Sequence, residues 1–158
     1  MNPSEVLLLA FLVGVVAGLR SLTAPAAVAW AAHAGWLNLH GSRLSFMGST
    51  GAVVIFVLLA LVELVADKLP NTPSRTAPPG LIARMMLGGL CGACFAVAGS
   101  QSAVIGALLG LVGGVAGAFG GYQVRTRLVK MFKVPDFVVA VAEDVVAIAA
   151  GLFLSSRF

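Results

Sequence analysis

Charged residues are scarce in this sequence. Ten Lys or Arg and six Asp or Glu occur among 158 residues, so that only 10% of the chain is charged, while 59% is apolar. The mean hydropathy is +1.03. An ordinary globular domain has about 25% charged and roughly 45–50% apolar residues. A soluble chain of this length could not bury so much apolar surface, so the composition predicts an integral membrane protein.

Several kinds of site are also missing. The two cysteines, Cys91 and Cys94, lie inside an apolar run, and neither of the two histidines has an acidic or cysteine neighbour at ligand spacing. No nucleophile triad, phosphate loop or zinc pattern is present, so we expect no enzyme, no cofactor and no metal site.

Residues 1–5 carry no Lys or Arg, which argues against a cleaved signal peptide. The net charge of +4 comes from short basic segments between apolar runs, so no nucleic-acid partner is expected.

Five apolar runs have about the length of a membrane-spanning helix. They are Val6–Leu19, Gly51–Ala66, Leu81–Ala98, Ser102–Tyr122 and Pro135–Leu154. Backbone polar groups in lipid must be satisfied internally, so these runs are predicted to be helices. A shorter run, Ala24–Leu37, suits an interfacial or re-entrant helix. The predicted fold is an all-α membrane protein with about five transmembrane helices plus one short helix, in a single membrane domain over residues 1–158.

The basic residues predict the orientation. With five crossings, the loops that hold Lys68 and Arg75, and Arg125 and Arg127, lie on the same side of the membrane. Positive charge favours the cytoplasmic side, which would place the N-terminus in the cytoplasm. If the short run also crosses, six spans would place the N-terminus outside and Arg20 inside. Both arrangements stay open.

A short sequence repeat suggests internal symmetry. Leu12–Gly18 (LVGVVAG) and Leu111–Gly117 (LVGGVAG) are each followed by a break, a short segment and a span that carries a glutamate, Glu63 or Glu143. Five spans would make helices 1–2 and 4–5 inverted copies, a common transporter design. The predicted units are a first repeat over about 5–69, a linking helix over about 80–99 and a second repeat over about 102–156.

Glycines recur at four-residue spacing in the fourth run. The two stripes are Gly106, Gly110 and Gly114, and Gly113, Gly117 and Gly121. Small residues let membrane helices approach closely. We therefore expect tight packing, either within the chain or in a homodimer formed through the glycine-rich helices.

Acidic side chains inside the apolar runs are the candidate functional residues. The predicted substrate- or ion-binding set is Glu63, Asp67, Glu143, Asp144 and Arg20. Charged groups in lipid are costly and must face protein or water. In one hypothesis they form a midplane site that moves a proton, cation or small solute, in a transporter- or channel-like protein. In the alternative, they pair with Arg20, Arg84 or Arg125 and lock the bundle of a non-transporting scaffold or lipid-headgroup-binding protein. Arg75, Arg125 and Arg127 are the candidate headgroup or loop contacts, and the lipid bilayer is the expected partner.

Three segments together resemble a known family. They are residues 18–25 (GLRSLTAP), residues 63–75 (ELVADKLPNTPSR) and residues 120–125 (GGYQVR), which leads on to Pro135-Asp136 and Glu143-Asp144. The chain resembles the bacterial membrane-protein family labelled domain of unknown function 4126. The resemblance implies a small multi-pass protein of the bacterial inner membrane, and it implies no activity.

Overall fold

Six α-helices make up most of the chain. The computed structural model describes residues 1–67, 77–133 and 135–158, and these residues contain no strand. The helices are α1 (Pro3–Leu19), α2 (Thr23–His33), α3 (Thr50–Ala66), α4 (Pro78–Ala98), α5 (Ala103–Phe132) and α6 (Asp136–Ser155), with a short 3-10 helix at Ser45–Gly48. This confirms the predicted all-α fold.

The lengths fit a membrane protein. Helices α4, α5 and α6 are long and apolar enough to cross a bilayer, and α1 and α3 are apolar helices of 17 residues each. Seventeen residues extend about 25 Å, slightly less than the roughly 30 Å of hydrocarbon in a bilayer. Helix α2, in the short run, has 11 residues.

Local sequence explains where three of the helices begin. The Glu5 side chain accepts a hydrogen bond from the Asn2 N–H (3.0 Å) at the start of α1. Likewise, the Ser49 hydroxyl accepts one from the Ala52 N–H (3.1 Å) at the start of α3. Pro78 occupies the first turn of α4, where its missing N–H leaves no helical bond unmade. Helix α5 continues beyond Tyr122, the predicted end of its apolar run, because the following residues favour helix even though several are basic.

Helices α1, α4 and α5 are in backbone contact at their glycines. A Cβ atom added to Gly14 would lie 2.2 Å from the carbonyl oxygen of Gly110, and one added to Gly92 would lie 2.3 Å from that of Gly106. Real Cβ atoms do not approach so closely, so no larger residue fits without moving a helix. These glycines of α5 therefore contact neighbours within the chain. A homodimer formed through them stays a prediction.

The two copies of the sequence repeat lie side by side. Gly14 of α1 contacts Gly110 of α5, and Gly18 contacts Gly114, so the two helices run in the same direction. Inverted copies of these spans would run in opposite directions. The structure therefore does not confirm the predicted inverted repeat.

The short helix α2 turns back along the bundle. Ser21, just before α2, hydrogen-bonds Glu63 near the end of α3, and His33 at the end of α2 hydrogen-bonds the carbonyl of Gly48 just before α3. Helices α2 and α3 are therefore antiparallel, and the C-terminal ends of α1 and α3 lie at the same end of the bundle. We call this the Arg20 end, and the opposite end the N-terminal end. With five crossings these two helix ends would have lain on opposite sides.

The outer surface is apolar. Helix α3 packs mainly against α2, and most of its large aliphatic side chains point outward. Among them Leu58, Val62 and Val65 are more than half exposed. Such a surface would be unfavourable in water and is suited to contact with lipid.

Candidate functional site

Arg20 lies at the break between α1 and α2. The residue has extended backbone angles (φ −138°, ψ 110°), so the chain leaves the α1 axis here, and its side chain is completely buried. A buried arginine requires anionic or carbonyl partners, because an isolated charge in an apolar interior is very unfavourable.

Two aspartates supply this partner charge. One terminal nitrogen of Arg20 pairs with Asp67, at the end of α3, and the other pairs with Asp144, in α6. Asp144 is nearly buried, whereas the side chain of Asp67 is 17% exposed and is the point where this cluster reaches the surface. One guanidinium thus joins three helices that are distant in sequence.

Glu63 lies one helical turn before Asp67, and it binds the chain next to Arg20. Its carboxylate accepts hydrogen bonds from the backbone N–H groups of Ser21 (2.8 Å) and Leu22 (2.9 Å) and from the Ser21 hydroxyl. These N–H groups precede the first turn of α2, where no helical carbonyl is available to them. A carboxylate at this position also opposes the positive end of the α2 dipole. Glu63 therefore acts as a long-range cap for α2.

A second buried arginine lies beside this cluster. Arg84 of α4 donates from Nε to the carbonyl of Gly18 (3.2 Å) and from Nη1 to the carbonyl of Gly80 (3.0 Å). The first bond satisfies a carbonyl at the end of α1, which the break at Arg20 leaves without a helical partner.

Glu143 belongs to a different group. Arg125 of α5 forms a two-bond ion pair with Asp136, including Nε to Oδ1 at 2.9 Å, and its Nη1 lies 3.6 Å from a carboxylate oxygen of Glu143. Adjacent residues of a helix point about 100° apart, so Glu143 and Asp144 reach different partners. The predicted set is therefore divided: Arg20, Glu63, Asp67 and Asp144 come together, whereas Glu143 lies with Arg125.

The Arg20 group lies toward one end of the bundle. Arg20 follows a helix about 25 Å long, and Asp144 is about 12 Å along α6 from Asp136. The cluster is thus displaced from the centre of α1 toward its C-terminal end. The other predicted loop contacts separate likewise, since Arg127 is exposed on α5 and Arg75 lies outside the described residues.

Sequence reasoning missed two contributors to the site. The backbone N–H groups of Ser21 and Leu22 bind Glu63, and the only signal for this was a helix start that lacked a capping side chain after a break. Asp136 was also missed as the main partner of Arg125, although an acidic residue in the first turn of a helix beside a basic segment is a recognisable signal. Among the described residues, no group of three or more metal-binding side chains is present.

Comparison with models of known protein families shows which family the chain belongs to. The model described as "Domain of unknown function (DUF4126)" matches residues 7–156. The chain belongs to this family. No curated protein and no solved structure matches this DUF4126 member.

The family match covers all six helices except the first residues of α1. It therefore includes both charge groups of this DUF4126 protein. Because the family is one of unknown function, the function of this protein must be inferred from the geometry of these groups.

Proposed function

We propose that this protein is a non-transporting membrane protein that binds anionic lipid headgroups, with a helix bundle that its buried charges hold together. The observation that carries the proposal is the state of the Arg20 cluster. Both terminal nitrogens of Arg20 pair with carboxylates, and Glu63 accepts three hydrogen bonds from Ser21 and Leu22. Ion pairs and hydrogen bonds of this kind, between residues distant in sequence, stabilise one arrangement of helices.

Helix α3 depends on these ion pairs and hydrogen bonds for its position in the bundle. Helix α3 packs mainly against the short helix α2, and its remaining surface faces outward. Apolar burial gives little reason for membrane helices to associate, since lipid is as apolar as their side chains. Glu63 and Asp67 supply polar contacts that fix the end of α3 to the start of α2 and to Arg20.

The Arg20 end carries most of the positive charge. Six of the described basic residues lie there: Arg20, Arg84, Arg125, Arg127, Lys130 and Lys133. Arg43 and Arg157 lie at the N-terminal end. Under the positive-inside rule, the Arg20 end is cytoplasmic and both termini are outside. The helix directions thus favour the six-span alternative over the predicted cytoplasmic N-terminus.

The end of α5 supports the proposed contact with headgroups. Gly117 of α5 lies beside Gly18 of α1, and α5 continues for about four more turns, or roughly 20 Å. The exposed side chains of Arg127, Lys130 and Lys133 lie along or just after this extension. Basic residues near the cytoplasmic surface attract anionic lipid by about 1 kcal/mol each.

Lipid competition tests the proposal. We expect the purified protein to retain phosphatidylglycerol in preference to phosphatidylcholine, as measured by native mass spectrometry of detergent-released complexes. Replacing Arg127, Lys130 and Lys133 together by Gln should weaken this preference by roughly a hundredfold, and added salt should reduce it in the wild type. The matched control is Arg43→Gln at the opposite end, which should leave the preference unchanged. A wild-type protein with equal affinity for the two lipids would contradict the proposal.

Transport is the second candidate, because one observation favours it. Arg20 lies in a break between two helices, as at the binding sites of discontinuous transporter helices, and its partner Asp67 reaches the surface. Proton or cation flux into protein-containing liposomes would support transport if Glu63→Gln and Glu143→Gln variants that remain folded abolished it. Our proposal predicts no flux above that of protein-free vesicles.

A further inference from the structure

One side of α5, which we call its outward face, points away from the bundle. Leu108, Val112 and Phe119 lie within about 40° of one another around the helix axis, since successive residues are about 100° apart, and all three are exposed. The opposite side of α5 carries the glycines that contact α1 and α4. Along most of the helix the outward face is therefore apolar and suited to lipid.

Polar residues follow Phe119 on this outward face. Gln123 and Lys130 lie within about 40° of Phe119 around the axis, and Arg127 lies within about 80°. All three polar side chains are exposed, and spacings of four and three residues make them neighbours along the helix. Residues 119–133 contain no Asp or Glu. The outward face thus changes from apolar to basic within about two turns after Phe119.

The position of this change matches the edge of the hydrocarbon layer. Helix α5 begins at Ala103, directly after the polar turn 100–102 at the N-terminal end of the bundle. Roughly 30 Å of hydrocarbon corresponds to about 20 residues, which places its far edge near Tyr122, and tyrosine is enriched at this level. About one turn further, Arg125 pairs with Asp136 at the start of α6, whose side chain is 63% exposed. An exposed ion pair is expected outside the hydrocarbon.

The polar residues of the outward face lie at different heights above this edge. Along the α5 axis, Gln123 is about 2 Å beyond Tyr122, Arg127 about 8 Å and Lys130 about 12 Å. The headgroup layer is roughly 5–8 Å thick. Helical side chains tilt toward the N-terminus of their helix, which for α5 is toward the bilayer. Arg127 and Lys130 therefore reach back into the phosphate layer, whereas Lys133, about 16 Å beyond Tyr122, stays outside it.

We infer that the outward face of α5 binds the phosphate group of one anionic phospholipid between Gln123, Arg127 and Lys130. Arg127 and Lys130 donate charge-assisted hydrogen bonds to the phosphate oxygens from the aqueous side, and the carboxamide of Gln123 donates from the membrane side. The acyl chains of this lipid lie along the apolar part of the same face, beside Phe119. Arg125 takes no part, because its guanidinium is held in a two-bond ion pair. The inference rests on the proposed function and specifies where the headgroup binds.

Single substitutions that remove equal charge test this position. Retention of phosphatidylglycerol over phosphatidylcholine is again measured by native mass spectrometry. Arg127→Gln and Lys130→Gln should each weaken the preference roughly tenfold, since each removes a charge and a direct hydrogen bond. Lys133→Gln is the matched control. It removes the same charge about one Debye length from the phosphates, so it should weaken the preference less than threefold. Equal losses in all three variants would overturn the inference and leave the proposed function standing.

Gln123→Glu tests the membrane side of the contact. The variant has nearly the same shape and places a negative charge against the phosphate, so retention of phosphatidylglycerol should fall roughly tenfold although no basic residue is lost. Gln101→Glu, at the N-terminal end, should leave retention unchanged. Undiminished retention in Gln123→Glu would overturn the inference. Inorganic phosphate should displace no more lipid than chloride of equal ionic strength, and greater displacement would show a site for free phosphate instead.

A fluorescent reporter measures the depth of the outward face independently. Tyr122→Trp is combined with Trp30→Phe and Trp36→Phe, so that the introduced tryptophan is the only one. In vesicles, bromine near the carbonyl end of the acyl chains should quench it more than bromine near the methyl end. The reverse order would overturn the inference, and so would the absence of quenching, which would leave this face to a soluble partner. If the wild type shows no preference for phosphatidylglycerol, the proposed function fails and the inference fails with it.

Discussion

Glu63→Gln is the sharpest test of whether the buried charges hold the bundle together. Two carboxylate oxygens of Glu63 accept three hydrogen bonds, and Oε2 alone serves the Leu22 N–H. A glutamine keeps one acceptor oxygen and replaces the other by an NH₂ group, which cannot accept. One buried N–H is then left without a partner, at a cost of about 1–3 kcal/mol, and the remaining bonds lose their charge assistance. We therefore expect the free energy of unfolding to fall by about 2–3 kcal/mol.

The two native cysteines can be used to measure unfolding. Cys91 and Cys94 are the only cysteines and are completely buried in α4, so a thiol-reactive fluorophore labels them only when the bundle opens. Unfolding would be followed by this labelling during titration of detergent-solubilised protein with sodium dodecyl sulfate. Midpoints and slopes then give the free energy of each variant relative to the wild type.

Further variants show whether the loss of stability in Glu63→Gln comes from its hydrogen bonds. Ser21→Ala removes only the hydroxyl bond to Glu63 and should lower the free energy of unfolding by about 1 kcal/mol, less than Glu63→Gln. Glu5→Gln and Ser156→Ala are the matched controls, since both side chains are exposed and make only local contacts. If Glu63→Gln were no less stable than Glu5→Gln, the proposed role of the buried carboxylate would be refuted.

Two other expectations concern packing and topology. Gly110→Ala should prevent stable folding, because its Cβ would lie 2.1 Å from the Gly88 carbonyl oxygen, whereas Gly120→Ala meets no atom within 4 Å and should fold normally; size-exclusion chromatography of the two proteins distinguishes them. Cysteines introduced at Lys130 and Ser42 should be labelled by an impermeant maleimide from the cytoplasmic and the external side respectively, and the opposite pattern would contradict the proposed orientation.

The helices could be predicted from composition because length and continuous hydrophobicity are properties of local sequence. Each of the five long runs became a helix whose start lies within three residues of the predicted one. The direction of the short helix could not be predicted, since 11 residues fit a surface helix, a re-entrant helix or a partial crossing equally well. Its direction depends on Glu63 and Gly48, which are distant in sequence from the residues they bind.

The four charged residues of the Arg20 cluster were predictable from the sequence, but their partners were not. Buried acids and Arg20 could be selected because charge is rare in such a chain and unfavourable in lipid. Glu143 and Asp144 looked like one unit in sequence, yet the rotation of the helix directs them to Arg125 and Arg20 respectively. The main partners of Glu63 are backbone N–H groups, which every residue type except proline carries, so no side-chain pattern marks them.

The contacts of Arg20 also determine the order in which this protein can be completed. Helix α1 is made first, but its glycine partner Gly110 lies in α5, and the second counter-charge of Arg20, Asp144, lies in α6. Until α5 and α6 have been synthesised, α1 therefore lies in the membrane with a lipid-exposed glycine face and an arginine that lacks one or both of its aspartates. Arrival of the last helix supplies the carboxylate that pairs with the second terminal nitrogen of Arg20. A chain that stops before α6 would keep Arg20 paired with Asp67 alone, so the second terminal nitrogen of its guanidinium would lack a carboxylate partner and α1 would not be tied to α6.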